Sequence, residues 1–158
     1  PRMGDIGILA SLDPVALARA QANAELNGFA PDVCKWQQAD VFDYLRQARE
    51  AGDTYDLIIL DPPKFASSHY HVDRAARAYK DINLNGLRLL RAGGQLLTFS
   101  CSGAIDTDLF QKIVAGAVID SRRQAWALSR FGAGVDHPLL MTFPEGEYLK
   151  GLHLKLCD

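Results

Sequence analysis

Two short stretches of this sequence gather residue types suited to covalent chemistry on a planar, nitrogen-rich substrate. In Asp61-Pro62-Pro63-Lys64-Phe65 a carboxylate precedes two prolines. Their fixed φ angles hold the acid and nearby carbonyls with little conformational freedom. A rigid acceptor of this kind suits an amidine-like edge such as cytosine N3/N4, or an exocyclic amine. The alternative is that Pro62 and Pro63 only end a strand. In Thr98-Phe99-Ser100-Cys101-Ser102-Gly103 a cysteine is flanked by small hydroxyl residues and a glycine. That setting is accessible and has donors able to stabilise a thiolate. Free cysteines are also commonly buried and inert, so Cys101 has both readings. Cys34 and Cys157 read as structural, and three distant cysteines without a Cys-x-x-Cys do not make a zinc site.

Two further acids are candidates for a nucleoside. Asp13 follows a short apolar segment, where an acid can accept from both hydroxyls of a ribose; it can also serve as the N-cap of a helix. Asp40, ahead of Val41 and Phe42, could accept from an adenine amino group while the apolar neighbours sandwich the base, or it too could be a cap. A basic stretch carries Lys64, Arg74, Arg77 and Lys80 against Asp73 and Asp81. A polyanionic substrate would meet it first, although such clusters are usually solvated faces. His69 and His71 lack a third ligand nearby and read as loop residues, and His137 before Pro138 as a turn. On the substrate side the candidates are Pro62, Pro63, Lys64, Lys80 and Ser100; Asp61 counts on both the substrate and the cofactor side.

These residues need elements to place them. The patterning predicts strands at about 6–12, 33–38, 56–61, 95–100, 126–131, 139–143 and 152–156. Helices are expected from Pro14 to before Gly28, over 41–50, over 79–90 and over 106–120, with 66–78 a loop or short helix. Pro14 suits the first helical position and Gly28 the residue past the end. The segment Leu57-Ile58-Ile59-Leu60 is continuously apolar, as expected of a strand covered on both faces of a parallel sheet. Strand and helix alternate until about residue 120, then strands follow closely. The fold class is therefore α/β, a mostly parallel Rossmann-like sheet with an antiparallel edge hairpin. Ligands of such sheets sit beyond the carboxyl ends of the strands. Asp13, Asp40, Asp61 and Cys101 each follow a predicted strand, so all four are expected on one rim.

Composition limits the function classes. The chain has 158 residues, 48% hydrophobic, with 17 Lys+Arg against 19 Asp+Glu. That length fits one domain, residues 1–158. No run approaches the ~18 apolar residues of a membrane span, and no secretory leader is recognisable. A net charge of −2 argues against a domain-wide basic surface, so contact with nucleic acid would be local. The odd, unpaired cysteines point to a reducing cytoplasm. No G-x-G-x-x-G is present for a nicotinamide cofactor.

The ordered set Asp61-Pro62-Pro63-Lys64-Phe65, Tyr79-Lys80-Asp81-Ile82-Asn83, Thr98-Phe99-Ser100-Cys101-Ser102-Gly103, Asp108-Leu109-Phe110-Gln111-Lys112, Asp136-His137-Pro138 and Pro144-Glu145-Gly146-Glu147-Tyr148-Leu149-Lys150-Gly151 resembles the catalytic domain of RlmI-type 23S ribosomal RNA cytosine-5 methyltransferases. These are class I enzymes using S-adenosylmethionine. The resemblance implies that Asp13 binds the cofactor ribose and that Asp40 with Val41 recognises adenine. It implies that Asp61 and Pro62 hold the cytosine edge near the reacting methyl, with Cys101 the nucleophile. Ribosomal RNA is the implied substrate.

The same resemblance implies a first strand and Gly-rich loop about twenty residues before the acid matching Asp13. Only twelve residues precede Asp13. That strand, the loop and a PUA-containing RNA-binding region are therefore expected to lie outside this sequence. The gap in the sheet would be closed by the N-terminal segment, or by a neighbouring chain in a homodimer or through an exchanged element. Two alternatives stay open: methyl transfer to an exocyclic amine, which needs the Asp-Pro-Pro turn but no thiol, and a folded fragment that acts only as an interaction module.

Overall fold

The computed structural model describes residues 7–65 and 71–158. They fall into two compact units, Pro1–Gln47 and Ala48–Asp158.

The first unit contains a β-α-β crossover. Strand β1 (Gly7–Ser11) and strand β2 (Cys34–Gln38) pair in parallel, in register from Gly7↔Cys34 to Ser11↔Gln38. Helix α1 (Pro14–Leu26) connects them, and Asp13 caps it by accepting from the Val15 amide at 2.8 Å. Gly28, at φ +75°, follows the helix in the left-handed region that a side chain would disfavour. Within α1 only Leu17 is buried. Helix α2 (Val41–Ala51) is capped by Asp40, which accepts from the Phe42 amide.

The second unit is built on a four-stranded sheet in the order β3-β4-β6-β5. Strands β3 (Tyr55–Leu60) and β4 (Leu90–Ser100) are parallel, whereas β6 (Lys150–Leu156) runs antiparallel to both β4 and β5 (Ala125–Phe131). This is the expected α/β architecture with its antiparallel edge pair. Helices α3 (Val72–Leu89) and α4 (Thr107–Ser121) supply the apolar core with β4 and β6: Tyr79, Ile82, Leu87, Leu96, Phe110, Val114, Leu152 and Leu154 are all buried. Gly86 lets α3 approach the sheet, since a Cβ there would stand 3.2 Å from Leu60 Cδ1.

Three expectations need correction. Helix α3 starts at Val72, well before residue 79, because buried Ala75 extends the stripe of Tyr79, Ile82 and Gly86 by one turn. Its exposed charges disguise that period. Residues 139–143 form no strand: the segment turns through a Phe143 amide to Leu140 carbonyl bond into a short 3-10 helix, Pro144–Gly146. Strand β3 is not covered on both faces among the described residues. Ile58 and Leu60 face α3, while Leu57 and Ile59 are 50% and 58% exposed.

One face of the sheet makes a specific demand. Phe99 stacks on Phe131 at 5.7 Å, and Phe131 on His153 at 6.4 Å. Gly151 lies opposite Phe99 in register, and a Cβ there would come within 2.5 Å of the Phe99 ring. Gly151→Ala is therefore expected to destabilise the fold by about 1–3 kcal/mol through overpacking. A urea midpoint equal to that of the unchanged protein would show that Phe99 swings aside freely.

Candidate active site

The parallel pairing of β3 and β4 decides where the reactive residues go. Leu60 lies opposite Thr98, so Asp61 and Cys101 leave the sheet at the same, carboxyl end. After β3 the chain turns through Pro62, which is buried, leaving Asp61, Pro63 and Lys64 exposed. Phe65 ends the turn with its ring 4.7 Å from that of Tyr79 on α3. Asp61 has no hydrogen-bond or ion-pair partner for its carboxylate among the described residues, leaving it available to a ligand.

The loop after β4 is held far more closely. Ser100 is buried, and its hydroxyl accepts from the Ser102 amide. The Ser102 hydroxyl lies 3.0 Å from the buried Tyr79 hydroxyl. Tyr79 thereby touches both reactive segments: its ring packs on Phe65 of the Asp-Pro-Pro turn, and its oxygen binds the residue next to Cys101. Phe110 of α4 meets the same ring edge-on at 5.7 Å. Cys101 itself is half-buried.

From the other side comes Lys150, the first residue of β6 and paired in register with Ser100. The residue is 7% exposed, and its ammonium donates to the carbonyls of Ser102 (2.7 Å) and Ile105. Burial pushes its pKa below the ordinary lysine value, while Cys101 and then Asp106 pull it back up. Asp106 also caps α4, accepting from the Leu109 amide at 2.7 Å. Beside this loop lies a cleft of about 480 Å³ whose lining includes Gly103, Asp106, Arg130, Glu147 and Lys150.

The remaining candidates are placed as follows. Lys80 forms an ion pair with Asp120 of α4 at 2.8 Å, which commits its ammonium to that helix. Arg74 and Arg77 are exposed on α3, and His71 lies just before it. His69 lies outside the described residues. His137 sits in a turn, its amide bonded to the Gly134 carbonyl. In the first unit, Asp13 and Asp40 follow the same end of the β1-β2 pair. Each uses Oδ1 to cap a helix, which leaves Oδ2 for a ligand. The cap role and the nucleoside role are thus compatible. Val41, which opens α2, is half-buried.

Tyr79 and Lys150 were not singled out by their chemistry in the sequence. For Lys150 a signal existed. It shares strand parity with Leu152, Leu154 and Leu156, so a lysine stands on the inward face.

No family model matches the chain. Curated relatives do. The chain is 51% identical over 138 residues to ribosomal RNA large subunit methyltransferase I of Shewanella amazonensis, and 49% identical over 138 residues to that of Shewanella frigidimarina. It is 49% identical over 136 residues to that of Photobacterium profundum. These matches cover 86–87% of the chain but only 34–35% of each relative, so the chain spans about a third of their length. Among solved structures, SMU.776, described as a methyltransferase and crystallised with SAH, superposes with a TM-score of 0.79 at 23% identity, over 95% of this chain and 39% of that one. NSun6 from Pyrococcus horikoshii with SFG gives 0.67 at 17% identity, over 96% and 41%. Among the described residues no helix is long and apolar enough to cross a membrane. The chain is thus similar over most of its length to about a third of the ribosomal RNA large subunit methyltransferase I proteins, and it shares the Rossmann-like α/β fold of the solved methyltransferases.

Proposed function

We propose that this chain is the methyl-transferring part of an S-adenosylmethionine-dependent RNA methyltransferase that forms 5-methylcytosine in large-subunit ribosomal RNA. The observation that carries the reading is the juxtaposition of Asp61 and Cys101 at the carboxyl ends of adjacent parallel strands. The name borne by the curated relatives supports the substrate class. A cytoplasmic setting fits both that substrate and the free cysteines.

The donor set fits the cofactor. Asp13 and Asp40 each retain a carboxylate oxygen at one end of a parallel pair, suited to a ribose diol and an adenine amino group, with Val41 beside the base. When bound, S-adenosylmethionine supplies an electrophilic methyl group that C5 of the base takes.

The chain's own residues make C5 able to take it. Cytosine C5 is a poor nucleophile until a thiolate adds at C6. Addition of the Cys101 sulfur forms an S–C6 bond and shifts the C5=C6 electron pair onto C5. Asp61, fixed by Pro62 and Pro63, accepts from N4–H and from the N3–H formed when the electron-rich N3 takes up a proton from solvent, which it returns when the adduct collapses. Loss of the C5 proton to a base then re-forms the C5=C6 bond and expels the thiolate. Pro63, Lys64 and Ser100 border this site, and exposed Arg74 and Arg77 offer local positive charge to an RNA backbone. The rest of the RNA contact, including a PUA-type region, would come from sequence beyond this chain, and a second copy could complete the sheet at β3.

Trapping with RNA carrying 5-fluorocytosine at the target tests the reading, because fluorine at C5 blocks release of the adduct. The full protein with cofactor is expected to give a denaturation-resistant RNA complex, and Cys101→Ala to give none. An adduct that persists in Cys101→Ala refutes the assignment. Methylation that persists there without an adduct points to an exocyclic amine instead.

A further inference from the structure

The rim of the second unit does not end at Cys101. In the strand order β3-β4-β6-β5, β6 is antiparallel to both of its neighbours, so β4 and β5 point the same way. Asp61, Cys101 and Gly132 therefore leave the sheet at one end, with Lys150 starting β6 between the last two. Neighbouring strands lie ~4.8 Å apart, which puts the head of β6 and the end of β5 about 5 and 10 Å along the rim from β4. The cleft of about 480 Å³ occupies this stretch, and two cations line it. Arg130 shares the inward face with Leu152, its partner in register, and donates to Gln111 Oε1 of α4 at 2.5 Å. Gln111 is its only hydrogen-bond partner among the described residues, so most of its five donors stay free. Lys150 is buried and gives two of its three hydrogens to carbonyls. No carboxylate pairs with it among the described residues.

We propose that this cleft binds the nucleotide adjoining the target cytosine, with Arg130 and Lys150 on its phosphate and Glu147 on the N–H or O–H donors of its base or ribose. The proposal rests on the reading of Asp61 and Cys101 as the cytosine site, and it extends that site by one nucleotide along the same rim. The charges that line the cleft fit such a ligand. Asp106 is turned toward its own helix, where Oδ1 accepts from the Leu109 amide at 2.7 Å. Glu147 is exposed and has no hydrogen-bond partner among the described residues. Two cations and one free carboxylate thus face the opening. A bare anion would leave Glu147 unmatched, and a cation would meet Arg130 and Lys150. A nucleotide joins an anion to hydrogen-bond donors, and the planar guanidinium can take two phosphate oxygens at once. Leu149 adds apolar surface on the same wall.

Fluorescence anisotropy of the full protein with a ribosomal RNA fragment carrying the target cytosine reads this contact without requiring methyl transfer. Arg130→Ala is expected to weaken binding about tenfold, as for loss of a charge-assisted bond. It should also flatten the slope of log Kd against log salt concentration by about 0.7, the value of one phosphate contact to a single strand. Arg130→Lys keeps the charge and should restore the slope, which a purely structural role would leave unmoved throughout. A neutral methylphosphonate at one of the two linkages adjoining the cytosine then locates the contact. It should weaken the unchanged protein by the same factor and cost Arg130→Ala nothing further. Equal slopes for Arg130→Ala and the unchanged protein, or additive losses at both linkages, overturn the proposal. Should Arg130→Ala not fold, Arg130→Gln removes the charge while keeping most of the side chain, and the same cycle decides. Failure of the cytosine reading shows separately, as absence of a Cys101 adduct from a protein whose salt slope responds to Arg130. RNA that does not bind the unchanged protein at all overturns both.

Discussion

Tyr79→Ala is expected to lower the unfolding free energy by about 3–5 kcal/mol, a large share of the ~5–15 kcal/mol typical of a domain. The side chain is fully buried, with its ring against Phe65 at 4.7 Å and Phe110 at 5.7 Å. Truncation removes both ring contacts and leaves a cavity between α3, α4 and the turn after β3. Tyr79→Phe separates packing from polarity. It keeps the rings together and removes only the 3.0 Å bond to the Ser102 hydroxyl, so about 1 kcal/mol is expected. Urea unfolding of the three proteins would give midpoints in the order Tyr, Phe, Ala with a common slope. Equal losses for the Phe and Ala variants would mean that the hydroxyl, not the rings, holds this region. Tyr79→Phe should also slow adduct formation more than its small stability cost suggests, because it frees the residue beside Cys101 while leaving Phe65 docked.

The role of Tyr79 also shows where reading the sequence stops. The strands, the two Asp caps and the common end of Asp61 and Cys101 follow from short-range signals: apolar runs, proline and glycine punctuation, and the rule that parallel strands present their carboxyl ends together. The bond from Tyr79 to Ser102 spans 23 positions, and no local period announces it. The apolar run at 139–143 looks like a strand locally but turns into the 3-10 helix instead, since pairing with a sheet edge depends on where the rest of the chain places the segment. In β3 the apolar run was legible but its coverage was not. Composition shows that Leu57 and Ile59 are suited to burial, not what lies against them. Lys150 was legible in part, through its strand parity, while its carbonyl partners depend on how the loop after β4 folds back.

Asp61→Asn is expected to reduce kcat by about 10²–10³-fold, the range found when a preorganised partner of a developing charge is lost. The exchange is nearly isosteric, and the position is exposed without a partner among the described residues, so stability should change by no more than ~0.5 kcal/mol. The difference lies in charge and hydrogen-bond type. A carboxylate only accepts, and it binds more strongly once the electron density that sulfur addition pushes toward N3 is met by a proton taken up there from solvent, because N3–H and N4–H then both donate to it; the amide carries no charge and turns two donors toward that edge if it rotates. Because the bond strengthens as charge develops, the loss should fall on kcat more than on KM. The two roles at the rim then separate cleanly. Asp61→Asn should still form the 5-fluorocytosine adduct, slowly, because Cys101 remains, whereas Cys101→Ala should form none at any time. Pro62→Ala leaves the carboxylate but loosens the turn that aims it, and its defect should lie between those of the unchanged protein and Asp61→Asn. An Asp61→Asn protein with unchanged kcat would move the base-recognition role away from the Asp-Pro-Pro turn altogether, leaving Cys101 without the partner that gives its placement on the rim a chemical purpose.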